Sequence, residues 1–367
     1  MVDNTDNSFK AAPDKGSQNG MVWRYSGSFE QYMANLKANP PNKTVTAGNL
    51  TIQRRDPGYW LPDLSAKGIQ PVAGAGYKFY RNVKDYGAVG DGSHDDTEAI
   101  NAAIKDGNRC GLECGNTFAQ GALIYFPSGT YKVSRPIIQL YYTQFIGNAN
   151  DRPTILGTSD FVGIALMDTD VYIPEGRGSE WYINQNQFFR HIRNFIFDLR
   201  QMPKNIIENK QHLVPTGIHW QVAQATSLQN LKFVMPTGSD VTHHGIFTEN
   251  GSGGFVSDLE FEGGAVGWRA GSQQYTARNL KFTNCVTAVE QIWNWGWNWQ
   301  GITINGGAIG FNISGYGGKP GDSNKQGTGS VSIIGKYHRS FPSEWTVANS
   351  QVCRYHNFRY PSRHPDQ

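Results

Sequence analysis

The sequence predicts an all-β solenoid, a single-stranded right-handed parallel β-helix with a short N-terminal capping helix. Two interleaved series of apolar segments carry that prediction, together with a composition rich in glycine and aromatics. The first series reads polar-apolar-x-apolar: Asn194-Phe195-Ile196-Phe197, Asn230-Leu231-Lys232-Phe233, Asp258-Leu259-Glu260-Phe261, Asn279-Leu280-Lys281-Phe282 and Gly301-Ile302-Thr303-Ile304. From Asn230 its steps are 28, 21 and 22 residues. The second series runs between them: Gly217-Ile218-His219-Trp220, Gly245-Ile246-Phe247-Thr248, Gly267-Trp268, Ala288-Val289 and Gly310-Phe311-Asn312-Ile313, with steps of 28, 22, 21 and 22. Two strand series advancing at one shared period describe coils that each lend a strand to the same parallel sheets. The usual crossover of parallel strands makes the coil right-handed.

The elements follow in order. Residues 1–58 are polar, rich in Asn, Gly, Lys and Pro, and lack a sustained period, so they read as a poorly ordered extension. The β-helix is expected over 59–335. Tyr77 to Val83 alternates like a strand, and Asp85 to Gly92 is a turn cluster. Glu98 to Lys105 places Ala99, Ile100, Ala103 and Ile104 on one face behind Asp95-Asp96-Thr97, a natural helix cap. Turn and cap explain the acidic residues without calcium, since no Glu stands at the last position of an EF-hand loop. Solenoid ends expose strand edges and core, so helix 97–105 is assigned to the N-terminal cap. Leu123 to Phe126 and Thr130 to Val133 are short strands split by Pro127-Ser128-Gly129. Residues 336–367 read as an irregular tail with no comparable cap, which predicts a missing partner surface.

Composition narrows the function classes. Glycine makes up 43 of 367 residues, aromatics 13% and charged residues only 17%, against a typical ~25% for charge. The formal net charge is +3 and no basic run exceeds two residues, which disfavours nucleic acid and anionic membranes. No stretch approaches the ~18 apolar residues of a membrane span. Met1 to Gly20 lacks the apolar core of a signal peptide. Four sequons, at Asn42, Asn49, Asn250 and Asn312, favour a secreted protein. Cys110 and Cys114 could close a small disulfide loop, whereas Cys285 and Cys353 lack obvious mates, and no spacing suits zinc. No cofactor and no metal are expected.

Alternation along the second series places candidate site residues on an outer wall. With Ile218 and Trp220 inward, His219 and Gln221 face out, and one coil later Phe247 and Glu249 do the same. His219 should stack on Phe247, and Gln221 on Glu249. Asn250-Gly251-Ser252-Gly253-Gly254 then turns sharply and leaves Ser252 accessible. Such a stripe of amide, carboxylate, imidazole and ring is either a sugar-facing groove or a polar ladder on a solvated face. Trp293, Trp295, Trp297 and Trp299 alternate, so all four indoles should share one face and stack on sugar or pack on another domain. Glycoside hydrolysis needs two carboxyl groups, and only Glu249 sits convincingly on this wall, with Glu290 a weaker second.

Several motifs resemble a known family. Phe79-Tyr80-Arg81-Asn82-Val83-Lys84-Asp85-Tyr86-Gly87-Ala88, with Gly90-Asp91-Gly92 and Asp95-Asp96-Thr97, looks like the entry motif of the pectate-lyase-like superfamily. Tyr125-Phe126-Pro127-x-Gly129-Thr130-Tyr131, the run Gly217 to Asn230, Gly245 to Gly254 and Trp293-x-Trp295-Gly296-Trp297 are similar to glycoside hydrolase family fifty-five, the β-1,3-glucanases. The resemblance implies a glucan 1,3-β-glucosidase, inverting, free of metal and cofactor, in which two β-helices lie side by side with sugar between them. It implies that the catalytic acid lies in the second β-helix, and that this chain is the truncated N-terminal half, doubtful in activity alone. Glu249, Ser252 and Gln221 are the catalytic candidates; His219, Gln224, Phe247, Asn250, Trp293, Trp295 and Trp297 are the substrate-binding ones. Gln221, Gln224 and Ser252 would position water and sugar hydroxyls. The expected partner is a β-1,3-glucan, the expected state a secreted monomer. The alternatives are a pectin- or rhamnogalacturonan-active enzyme and a non-catalytic glycan-binding solenoid.

Overall fold

The computed structural model describes residues 60–64, 72–112, 119–176, 178–183, 187–313 and 327–334, and the backbone of strands Phe9–Pro13, Met21–Tyr25 and His338–Ser340. The chain divides into two units, Met1–Arg55 and Asp56–Gln367. In the first, Phe9–Pro13 pairs antiparallel with Met21–Tyr25. The second is the β-helix, in which every pairing of the large sheet is parallel from Tyr80–Asn82 onwards, with His338–Ser340 added against Thr303–Asn305.

The two sequence series are the two faces of this coil. In the first, Leu231, Leu259, Leu280 and Ile302 stand in register, as do Phe233, Phe261, Phe282 and Ile304. The phenylalanines stack ring on ring: Phe197 on Phe233 at 5.0 Å, Phe233 on Phe261 at 4.9 Å and Phe261 on Phe282 at 4.6 Å, the last two tilted by only 6°. In the second, Ile218, Ile246, Trp268, Val289 and Phe311 align and point into the core.

One steric fact ties the series together. A Cβ added to Gly217, Gly245 or Gly267 would meet the Cδ1 of Phe233, Phe261 or Phe282 at 2.6–2.7 Å, and the backbone oxygen of the next coil at 2.5–2.7 Å. In these three coils the glycine opening a segment of one series is therefore the seat for the ring closing the other. The polar residue opening the first series is a corner. Asn194, Asn230, Asp258, Asn279 and Gly301 are all left-handed, with φ between 54° and 66°, which Asn, Asp and Gly tolerate best. Their side chains also bond between coils, with Asn230 Nδ2 donating to Asn194 Oδ1 at 2.9 Å and Asn279 Nδ2 to Asp258 Oδ1 at 2.6 Å.

Helix Thr97–Lys105 closes the N-terminal end, burying Ile100, Ala103 and Ile104 in the common core. Asp95 Oδ1 accepts from the Thr97 amide at 3.0 Å and from its hydroxyl at 2.6 Å. Asp96 binds the amides of Val89 and Gly90 at 2.6 and 3.0 Å. The acidic cluster is thus a turn, as its spacing predicts, but Asp96 at the N-cap makes no side-chain bond to the helix, and Asp95 meets the first helical amide instead. Cys110 is disulfide-bonded and Cys285 is a buried free thiol, pushed up to about 12 by burial, while Cys114 and Cys353 lie outside the described residues.

The Phe ladder and glycine column should dominate stability. Phe261→Ala is expected to cost about 3–5 kcal/mol, and Gly245→Ala about 1–3 kcal/mol by overpacking. Lys281→Ala on the exposed face should stay within about 0.5 kcal/mol. Urea unfolding of the three variants checks the order.

Candidate functional site

The site grows from one outward column of the second face. Asp168, His219, Phe247, Arg269, Glu290 and Asn312 occupy successive coils at the same register. His219 lies between two rings, Phe247 at 5.6 Å and Tyr172 at 5.7 Å, both nearly parallel to it. The Arg269 guanidinium covers the Phe247 ring at 5.4 Å and reaches Glu290 at 3.2 Å. The stacking of His219 on Phe247 is the arrangement the spacing predicts.

The wall is not open where the sequence places it. His219 and Gln221 are 0% and 1% exposed, because the long connection between the coil strands Ala165–Asp168 and His191–Asp198 folds back over them. Thr169 Oγ1 accepts from the Gln221 amide at 2.8 Å, and Gln221 Nε2 donates to Glu180. The expectation of an exposed His219 and Gln221 is corrected accordingly: they face away from the core yet lie beneath a lid of Tyr172, Glu180 and their neighbours.

This connection adds groups that sequence reasoning missed. His219 Nδ1 lies 2.8 Å from Asp168 Oδ1, and Nε2 lies 3.3 Å from Glu249 Oε1. Asp170 accepts from the Tyr182 amide at 3.0 Å and from Gln187. Burial pushes the Glu249 carboxyl up to about 7, opposed by Arg269 and assisted by Asp168. Burial also raises Glu180, against the pull of His219, and raises Asp170 to about 8 with help from Glu180. For His219, burial opposes the charged ring, but Asp168 and the other carboxylates hold its pKa above the ordinary value. Among the described residues, Glu180, His219 and Glu249 bring ligand atoms within 4.8 Å of one another, a set able to share a proton or to hold a cation.

The remaining candidates separate into two places. Trp293 belongs to the column, donating from Nε1 to the Glu249 carbonyl at 2.6 Å. Gln224 and Ser252 instead line an open depression of about 450 Å³, with His191, Phe255, Gln274 and Asn298 among its walls. Ser252 is not accessible as the turn predicts but buried, because its amide binds Val222, Gln274 binds its carbonyl, and its Oγ donates to Gln224 Oε1 at 3.1 Å. Asn250 bonds within its own turn, to the Gly251 amide at 2.9 Å. Glu249 does not line this depression.

The tryptophan wall is corrected. Trp297 and Trp299 are core side chains, 1% and 0% exposed, packed on Trp268 at 5.3 Å each. Trp297 Nε1 donates to the Ser272 carbonyl at 2.9 Å, so Trp297 binds no sugar. Trp295 alone is largely exposed, at 57%. Strand Thr287–Asn305 runs 19 residues, from the column at Glu290 to the first series at Ile302, so it must bend within its own length. Strict alternation cannot survive such a bend, so indoles two residues apart change sides between Trp295 and Trp297.

Residues 80–312 match the family model described as Rhamnogalacturonase A/epimerase, pectate lyase-like. The chain belongs to this family. It is 46% identical over 308 residues to a probable glucan endo-1,3-beta-glucosidase of Arthroderma benhamiae, covering 83% of this chain and 33% of that one. It is 43% identical over 283 residues to a glucan 1,3-beta-glucosidase of Cochliobolus carbonum, covering 76% and 34%. A protein of Penicillium expansum named non-secreted LysM effector LysM19 is 42% identical over 315 residues, covering 85% and 24%. The chain thus spans about a third or less of these relatives.

Glu249 makes stability depend on pH with a defined sign. Its folded pKa, about 7, exceeds its ordinary 4.5, so the folded state holds the extra proton between those values. Its contribution to stability therefore falls as pH rises through that window. Glu249→Gln lacks this loss. Its stability relative to the parent should rise by about 3 kcal/mol from pH 4.5 to 8, read from urea unfolding at each pH. A constant difference would place the carboxyl in bulk water.

Proposed function

We propose that this chain is the sugar-binding β-helix of a secreted, monomeric β-1,3-glucan hydrolase. The reading is carried by the Ser252–Gln224 pair, a hydroxyl bonded to an amide in the lining of an open depression. A fixed amide and hydroxyl in a concave site are suited to hold a sugar hydroxyl or a water molecule. The relatives named as glucan glucosidases supply the substrate class. The bonded Cys110 suits an oxidising compartment.

The hydrolytic scheme follows from carboxyl spacing. Inversion separates acid and base by about 6.5–9.5 Å so that water fits between them. Glu180 and Glu249 approach within 4.8 Å, too close to flank that water as a pair. Glu249, kept neutral up to about pH 7, stands outside the depression and acts instead as a positioning group, held by His219 and Asp168 in the wall beside it. The acid that protonates the leaving oxygen is drawn from a second β-helix facing the depression, while Gln224 and Ser252 orient the attacking water. Trp293, seated on the Glu249 backbone, steadies this wall.

Incubating the purified chain with laminarin and, separately, with polygalacturonate tests the reading. Laminarin should bind with weak or no glucose release, and Gln224→Ala should weaken binding about tenfold, as loss of one well-made hydrogen bond predicts. Unsaturated uronides from polygalacturonate would replace this reading with a pectin-active one. Robust glucose release abolished by Glu249→Gln would move the acid into this chain.

A further inference from the structure

A second depression, of about 470 Å³, lies on the same sheet face and is lined by Phe255, Ser257, Asp258, Arg278, Asn279, Gln300 and Gly301. Phe255 lines both this hollow and the one holding Gln224 and Ser252. The register explains the adjacency. Phe255, Thr276 and Asn298 form one outward row across three coils, and Ser257, Arg278 and Gln300 form the next. Between the rows Val256, Ala277 and Trp299 point into the core and are fully buried. The rows are two residues apart along each strand, about 6–7 Å, a separation that successive units of one sugar chain can span.

We infer that the second depression is a further subsite for the same glucan chain, so that a β-1,3-linked oligosaccharide runs from Ser252 across Phe255 to Gln300. This rests on the glucan-binding reading of the first depression and extends it along the sheet. The chemistry of the lining suits a neutral polyhydroxylated ligand. Hydroxyl, amide and guanidinium groups supply donors and acceptors, while the half-buried Phe255 ring offers an apolar face between them. A protein partner would call for an apolar, charge-depleted centre, and this hollow has Arg278 and Asp258 in its wall. Its far edge is built by the corner, since Asp258, Asn279 and Gly301 are left-handed at φ 60°, 54° and 63°. Asp258 is further tied to Asn279 at 2.6 Å, so the edge is preformed.

Titration calorimetry with laminaribiose and laminarihexaose tests the inference on the intact chain. The double variant Arg278→Ala/Gln300→Ala changes only outward side chains. It should weaken laminarihexaose at least tenfold and laminaribiose by a much smaller factor. Phe255→Ala should also lose more affinity for the longer sugar, whereas Gln224→Ala should weaken both sugars alike. Equal losses for both sugars in the double variant, or none for laminarihexaose, would overturn the subsite while leaving the first depression intact. Binding of neither sugar by the parent chain would overturn the glucan reading and the subsite together.

Discussion

The fold depends on a seat that only glycine can provide. Each coil must bring the ring of Phe233, Phe261 or Phe282 against the backbone at Gly217, Gly245 or Gly267, and a single extra carbon would collide with ring and carbonyl alike. Because the ring comes from one face of the coil and the glycine from the other, neither face can slip without the other. A slip of one residue would also turn every core side chain outward. The ring ladder and glycine column therefore set the coil register, and the coil register sets every outward column. Asp168, His219, Phe247 and Glu290 share a line for the same reason that Ile218, Ile246 and Trp268 share the core.

On this regular scaffold the site is created by an irregularity. The connection after Asp168 is too long for a turn, and it folds over the outward column. It brings Asp170, Tyr172 and Glu180 onto His219, and removes water from groups that would otherwise form a solvated ladder. Four carboxyl groups around one imidazole in a shielded place explain why protons are held there so firmly. The neighbouring face, which no described segment covers at Gln224 and Phe255, keeps its polar rows accessible. One β-helix thus presents a rigid, proton-holding column beside an open polar face.

The sequence by itself determined the solenoid, its period and the inward residues of its two repeating series, because repetition reports directly on stacking. Asn230, Asp258, Asn279 and Gly301 read in the pattern only as the polar start of a strand, and the structure makes them left-handed corners. The facing of His219 on Phe247 was legible as well, since both sit two steps after a coil's glycine. What tertiary structure alone decided is which outward groups meet water and which meet each other. Asp168 stands 51 residues before His219, outside the regular period, so its place in the column was hidden by the inserted connection. The burial of His219 and Gln221 depends on how that connection folds back, which no local pattern encodes. The side taken by Trp297 depends on a corner within one continuous strand. Alternation is a property of straight backbone, and these decisions were made where the backbone bends or departs from the coil.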